Sequence, residues 1–166
     1  MFFVIYTFKE VAEEGLNMFG EKLYEQFFYL NSLLGSQLID IGHAADMVWW
    51  IFKTNEHVFA LHSQCSCRIH KNHVQIFTRS SIYYNIEDTD KTIFDYQIDN
   101  LKKNYLPLKV LSIVGSDCND ILINFSGEVK AEIIADQPTG YEQWRLFPED
   151  KEGLPDLVAY TDKMEF

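Results

Sequence analysis

Apolar positions along the chain change their period more than once. Between residues 9 and 33, Leu16, Phe19, Leu23, Phe27 and Leu30 recur at three- and four-residue steps, one apolar stripe of a helix. Glu13, Glu14, Glu21 and Glu25 fill the other positions. Gly15 and Gly20 interrupt the stripe, which fits one broken helix or two short ones, and Gly35 supplies a stop. From 36 to 84 the texture becomes short β-like runs, QLIDI, MVWWIF, HVFALHSQCSCRI and HVQIFTRSSIYY, each bounded by Gly, Asn, Asp or Lys. Between the first two of these, Gly42 reads as a turn, with Asp40 and Asp46 marking its edges.

Helical spacing returns at 91–104, where Ile93, Phe94, Ile98 and Leu101 step together. Asp88 and Asp90 precede this segment as candidate caps and Leu106-Pro107 follows it. Residues 108–161 read as strands again: 108 to 114, then ILINF and EVKAEII around a Ser126-Gly127 hairpin, then YEQWRLF and LVAYT. Residues 1–166 therefore predict a single α+β domain. Its sheet is mostly antiparallel, with about eight short strands, strongly curved or barrel-like, and the helices segregated from them.

LHSQCSCRIHKNH, residues 61 to 73, gathers two cysteines and three histidines. Read as one strand over 58 to 70, its odd positions Phe59, Leu61, Ser63, Cys65, Cys67 and Ile69 are the more apolar set. Both cysteines then face the core, and His62 and His70 face away. Ligands on opposite faces cannot converge on one zinc ion, so no metal site is expected. The polar face sets His62, Gln64 and Arg68 side by side, with Arg79 reaching in from the next strand. Arginine there suits bidentate contact with a carboxylate or phosphate. Parity in YEQWRLF puts Glu142, Trp144 and Leu146 on one face and Arg145 on the other, a further candidate.

Charge adds a constraint on partners. Lys plus Arg number 14 against 25 Asp plus Glu, a net charge of −11. Such a surface repels a phosphate backbone, which argues against nucleic acid, and it attracts a basic protein. Three cysteines, an odd number, suit a reducing compartment. The apolar MFFVIYTF has no basic residue before it, and no run approaches the roughly 18 apolar residues of a membrane span. Neither membrane association nor secretion is expected, and the location expected is cytoplasmic. Motifs for dinucleotides, P-loop phosphates, helical zinc sites and serine nucleophiles are absent, so no cofactor is expected, and an enzyme is the less favoured reading without being excluded.

Leu61, His62, Gln64, Cys65, Arg68 and Ile69 match a pattern L-H-x-Q-C-x-W-R-[ILV], and Glu142, Trp144 and Arg145 match a later E-x-W-R. In both, the chain resembles a bacterial family of small proteins, over most of residues 35 to 160. Ser81 and Tyr83 fit parts of that family's second strand. Cys67 stands where the family carries Trp, Ile82 where it carries Asp, and His43 where it carries Arg. Members resemble proteins encoded beside polymorphic toxins, which implies an immunity role: a non-enzymatic acidic protein that neutralises a basic toxin domain by occlusion. The alternative reading is a small-molecule or anion-binding domain, with or without catalysis, built on His62, Gln64, Arg68, Arg79 and Arg145.

Overall fold

The computed structural model describes residues 29–149, 156–160 and 163–165. Most of the helical stripe expected over 9 to 33 lies outside these residues. What is described is a helical turn at Tyr29–Asn31, closed by a turn through Gly35 at φ 80°. Only glycine adopts that left-handed backbone without penalty.

Eleven antiparallel strands follow among the described residues, with few helices between them. The first five are β1 (Gln37–Ala44), β2 (Met47–Lys53), β3 (Val58–Ser63), β4 (Ser66–Lys71) and β5 (Val74–Thr78). A 3-10 turn, Arg79–Tyr83, and helix α1 (Ile93–Asn104) come next. Then come β6 (Leu108–Gly115), β7 (Ile121–Phe125), β8 (Val129–Ile134), β9 (Glu142–Pro148), β10 (Leu157–Tyr160) and β11 (Met164–Glu165). Their order in the sheet is β11-β10-β9-β3-β2-β1-β6-β7-β8-β4-β5. The α+β class and antiparallel sheet agree with expectation. The sheet is open, since β5 and β11 do not pair, and it has more strands than the eight expected.

The sheet is pinched in its middle. β1 and β6 share only two residue pairs, Gln37 with Lys109 and Leu38 with Leu108. On either side of that seam the halves fold over one apolar interior. Trp50 on β2 meets Phe77 on β5 with ring centres 5.7 Å apart, although six places separate these strands in the order. Both fully buried tryptophans satisfy their indole N–H groups, as buried polar groups must. Trp50 donates to Ser63 Oγ at 3.2 Å, and Trp144 donates to the Asn119 carbonyl at 2.7 Å.

Several local expectations are corrected. The run from 58 to 70 is two strands, because β3 pairs β9 whereas β4 pairs β8. Alternation nevertheless continues through the break: Phe59, Leu61, Ser63, Cys65, Cys67 and Ile69 are all buried. SSIYY is not strand but a 3-10 turn and an extended exit, because the β4–β5 ladder ends at Arg68 and Thr78. The Ser126-Gly127 hairpin stands, as a three-residue 3-10 turn with Gly127 at φ 71°.

Gly42 is not a turn residue. β1 runs straight through it, and the reversal falls at Ala45 and Asp46. Gly42 lies opposite Trp49 on β2, and a Cβ there would sit 2.3 Å from Cζ2 of that indole. Lys102 caps the same ring, its Nζ 5.4 Å from the centre and 2.6 Å from Asp40 Oδ1. The stack ties the end of α1 to β1.

At its other end α1 is capped by Thr92, not by Asp88 or Asp90. Thr92 Oγ1 accepts from the Asp95 N–H at 3.2 Å, and Asp95 Oδ2 accepts from the Thr92 N–H at 2.7 Å. This reciprocal box satisfies two of the helix's free donors. His43 adds a contact from β1, its Nε2 3.1 Å from Asp95 Oδ1. Phe94, Ile98 and Leu101 are buried, and Phe94 packs on Phe77 at 5.2 Å. Ile93, expected in that stripe, is instead exposed.

Two outcomes follow from these contacts. Gly42→Ala must push Trp49 off the strand, so it lowers unfolding free energy by about 1–3 kcal/mol. Adding Trp49→Leu recovers most of that loss; urea titration reads both. Hydrogen bonds from Thr92, its backbone N–H first, hold the Asp95 carboxyl below its ordinary range, with His43 adding to the effect. A lowered native pKa contributes stability above the unfolded value and loses it as pH falls through the native one. The stability gap between the parent and Asp95→Asn is thus full above about pH 5 and closes as pH drops below about 4.

Candidate functional site

The sequence candidates fall into three separate places. His62, Gln64 and Arg145 come together where β3 meets β9, since His62 and Arg145 are direct cross-strand partners. Gln64 Nε2 donates to Glu142 Oε1 at 3.4 Å. Arg145 Nη2 donates to Glu142 Oε2 at 2.7 Å, and Nη1 donates to Asp156 Oδ2 at 3.2 Å. The hydrogen bond to Glu142, foremost, pushes the guanidinium pKa further up. His62 lies edge-on to Phe147 at 4.8 Å between ring centres, and burial lowers its pKa against the nearby carboxylates. The ring is therefore neutral at pH 7.

Strand parity had put Glu142 on the opposite face from Arg145. A bulge reverses this: Ala159 pairs Trp144 while Tyr160 pairs Glu142, so Gln143 is the extra residue. Gln143 turns inward and is fully buried, its side chain bonded to backbone of the preceding loop. The bulge re-aims Glu142 toward Arg145.

Arg68 stands apart on the other half-sheet. Its Nε binds Glu132, its cross-strand neighbour on β8, and His70 Nε2 lies 3.6 Å from the same carboxylate. Arg79 does not join either group. It reaches from the 3-10 turn to the β1–β2 reversal, where Nε donates to the Asp46 carbonyl at 2.6 Å and Nη2 to its carboxylate at 3.3 Å. All three arginines are thus matched to carboxylates of the same chain. An open cleft of about 480 Å³ lies along Gln37, Ile39, Lys53, Lys102, Leu106 and Pro107. None of the five candidates lines it.

Cys65 and Cys67 are buried, and burial raises both thiols, Cys67 to about 12, with Ser63 Oγ donating to its sulfur at 3.7 Å. Thiols so placed are packing groups, not nucleophiles. Among the described residues no three His, Cys, Asp or Glu side chains gather as a metal site, and no helix is long and apolar enough to cross a membrane.

What sequence reasoning missed is a set of exposed rings. Tyr83, Tyr84 and Tyr96 are 62%, 61% and 68% exposed. The available signal was the tyrosine pair sitting just before the acidic run from Glu87 to Asp99.

No protein family, no curated protein and no solved structure matches this chain.

The two isolated arginines separate in a stability measurement. Arg79, with its side chain 12% exposed, holds a backbone carbonyl across the fold, whereas Arg68 is 49% exposed on a strand surface. Arg79→Ala costs about 1–3 kcal/mol in chemical denaturation, and Arg68→Ala costs about 1 kcal/mol or less. Equal costs would show that Arg79 is not the clamp described.

Proposed function

We propose that this chain is a non-enzymatic binding protein that occludes a basic partner, in the manner of bacterial immunity proteins that neutralise a toxin. The observation that carries the reading is how the charges are distributed. Arg68, Arg79 and Arg145 are each neutralised internally, by Glu132, Asp46, and Glu142 with Asp156. Glu87, Asp88 and Asp90 have no cation partner among the described residues and are exposed. Unmatched carboxylates are thus exposed among the described residues, and in a chain of net charge −11 they would speed encounter with a basic surface and discourage nucleic acid.

The anion-binding alternative loses support on the same grounds. Bound phosphate or carboxylate would have to displace existing carboxylate partners, and burial of His62 disfavours the charged ring that would help. Nor do the arginines converge on one another among the described residues: they bind Glu132, Asp46, and Glu142 with Asp156, at three separate places. Catalysis lacks an activated nucleophile and a matched acid–base pair at this cluster.

The test is co-expression with the protein encoded next to this chain's gene. A complex that survives size exclusion, together with rescue of growth when that neighbour is toxic, is the expected result. If the neighbour forms no complex and its toxicity is unrelieved, the immunity reading is wrong.

A further inference from the structure

Tyr83, Tyr84, Ile93 and Tyr96 are presented by two segments locked to each other. Ile93 N–H donates to the Tyr84 carbonyl at 2.7 Å, and Asn85 bridges Thr92 in antiparallel fashion. Tyr96 lies three residues beyond Ile93, on the same side of α1. Ile93 is 40% exposed, so all four side chains offer apolar area to solvent. The intervening turn is also fixed. Ile86 N–H donates to the Lys91 carbonyl at 2.9 Å, and Thr89 Oγ1 donates to the Ile86 carbonyl at 3.0 Å. Rings and carboxylates therefore stand on ordered backbone, which keeps the ordering cost of binding low.

Charge selects the occupant. From Tyr83 to Asn100 the chain carries five carboxylates and one lysine. Lys91 is bound to Asp99 at 2.8 Å, and Asp95 is held in the helix cap. Glu87, Asp88 and Asp90 remain unmatched among the described residues. A second copy of this chain would bring like charges together around the same rings, which opposes self-association. A surface rich in arginine and lysine reverses that sign. Arginine also stacks on exposed tyrosine rings, and tyrosine is a common energetic anchor of interfaces.

We infer that Tyr83, Tyr84, Ile93 and Tyr96, rimmed by Glu87, Asp88 and Asp90, form the face that docks the Arg- and Lys-rich surface of a partner protein. This rests on the reading of the chain as a blocker of a basic partner. The rings supply the buried centre and the carboxylates supply steering at the rim.

The probe is the purified product of the neighbouring gene, with binding kinetics recorded at low and moderate salt. Tyr84→Ala and Tyr96→Ala are each expected to weaken binding about tenfold or more, chiefly by faster dissociation. The triple reversal of Glu87, Asp88 and Asp90 to Lys is expected to slow association and flatten its salt dependence. Tyr141→Ala, an equally exposed ring on the loop before β9, serves as the control and should bind like the parent. Thermal unfolding of each variant checks that the fold is retained. Should the parent bind and both tyrosine variants bind equally well, this docking face is wrong while the blocker reading stands. No binding by the parent removes both. Dimerisation in sedimentation that the tyrosine variants abolish would assign the face to a second copy and overturn the inference.

Discussion

One stretch of chain, residues 58 to 71, has to serve two half-sheets without changing which of its side chains face inward. Before the break its backbone bonds to β2 and β9; after it, to β8 and β5. The crossing at Gln64 and Cys65 is held by the β9 bulge on one side and by a side chain of the loop after β8 on the other. Gln64 N–H donates to the Gln143 carbonyl at 2.8 Å, and Ser66 N–H donates to Asp136 Oδ1 at 3.0 Å. Ser63 stands inside the crossing. It accepts from Trp50, and its single hydroxyl proton is shared between the Val48 carbonyl and the Cys67 sulfur, so the polar groups there are satisfied. The rest of the interior packs around that passage.

This constraint accounts for what could be read from the sequence and what could not. Alternation from Phe59 to Ile69 was legible because burial acts residue by residue on the pleat. The change of pairing partner at Gln64 leaves no trace in that pattern, since alternation is indifferent to which strand lies alongside. His62 and Arg68 therefore looked like neighbours on one face and instead belong to different half-sheets. Gly42 was misread for a related reason. Glycine advertises a turn, but only the folded sheet shows Trp49 lying where a Cβ would be.

Bulges hide in the same way. The inward turn of Gln143 moved Glu142 beside Arg145, a contact that strict parity forbids. The exposed tyrosines were hidden by an opposite effect: their aromatic, β-favouring character suggested a strand end, whereas the ladder had already run out at Thr78. Candidate residues that shared a strand in the sequence were thus divided by topology. Segments that were never grouped, ending at Tyr84 and beginning at Thr92, were joined by backbone contacts.

The pairing of β3 with β9 and of β4 with β8 also carries a consequence for synthesis. These ladders join Phe59 to Pro148 and Ser66 to Ile134, nested connections of which the outer spans more than half of the chain. Until residues 129 to 148 have been made, β3 and β4 each present an open edge with no permanent neighbour. Such edges on a half-made chain invite pairing with other copies, and long-range ladders form slowly. Residues 1 to 128 already carry 16 Asp and Glu against 10 Lys and Arg, and like charge opposes the association of incomplete copies during that interval. The acidity read first as a property of the finished surface thus also protects the protein before it has a surface at all.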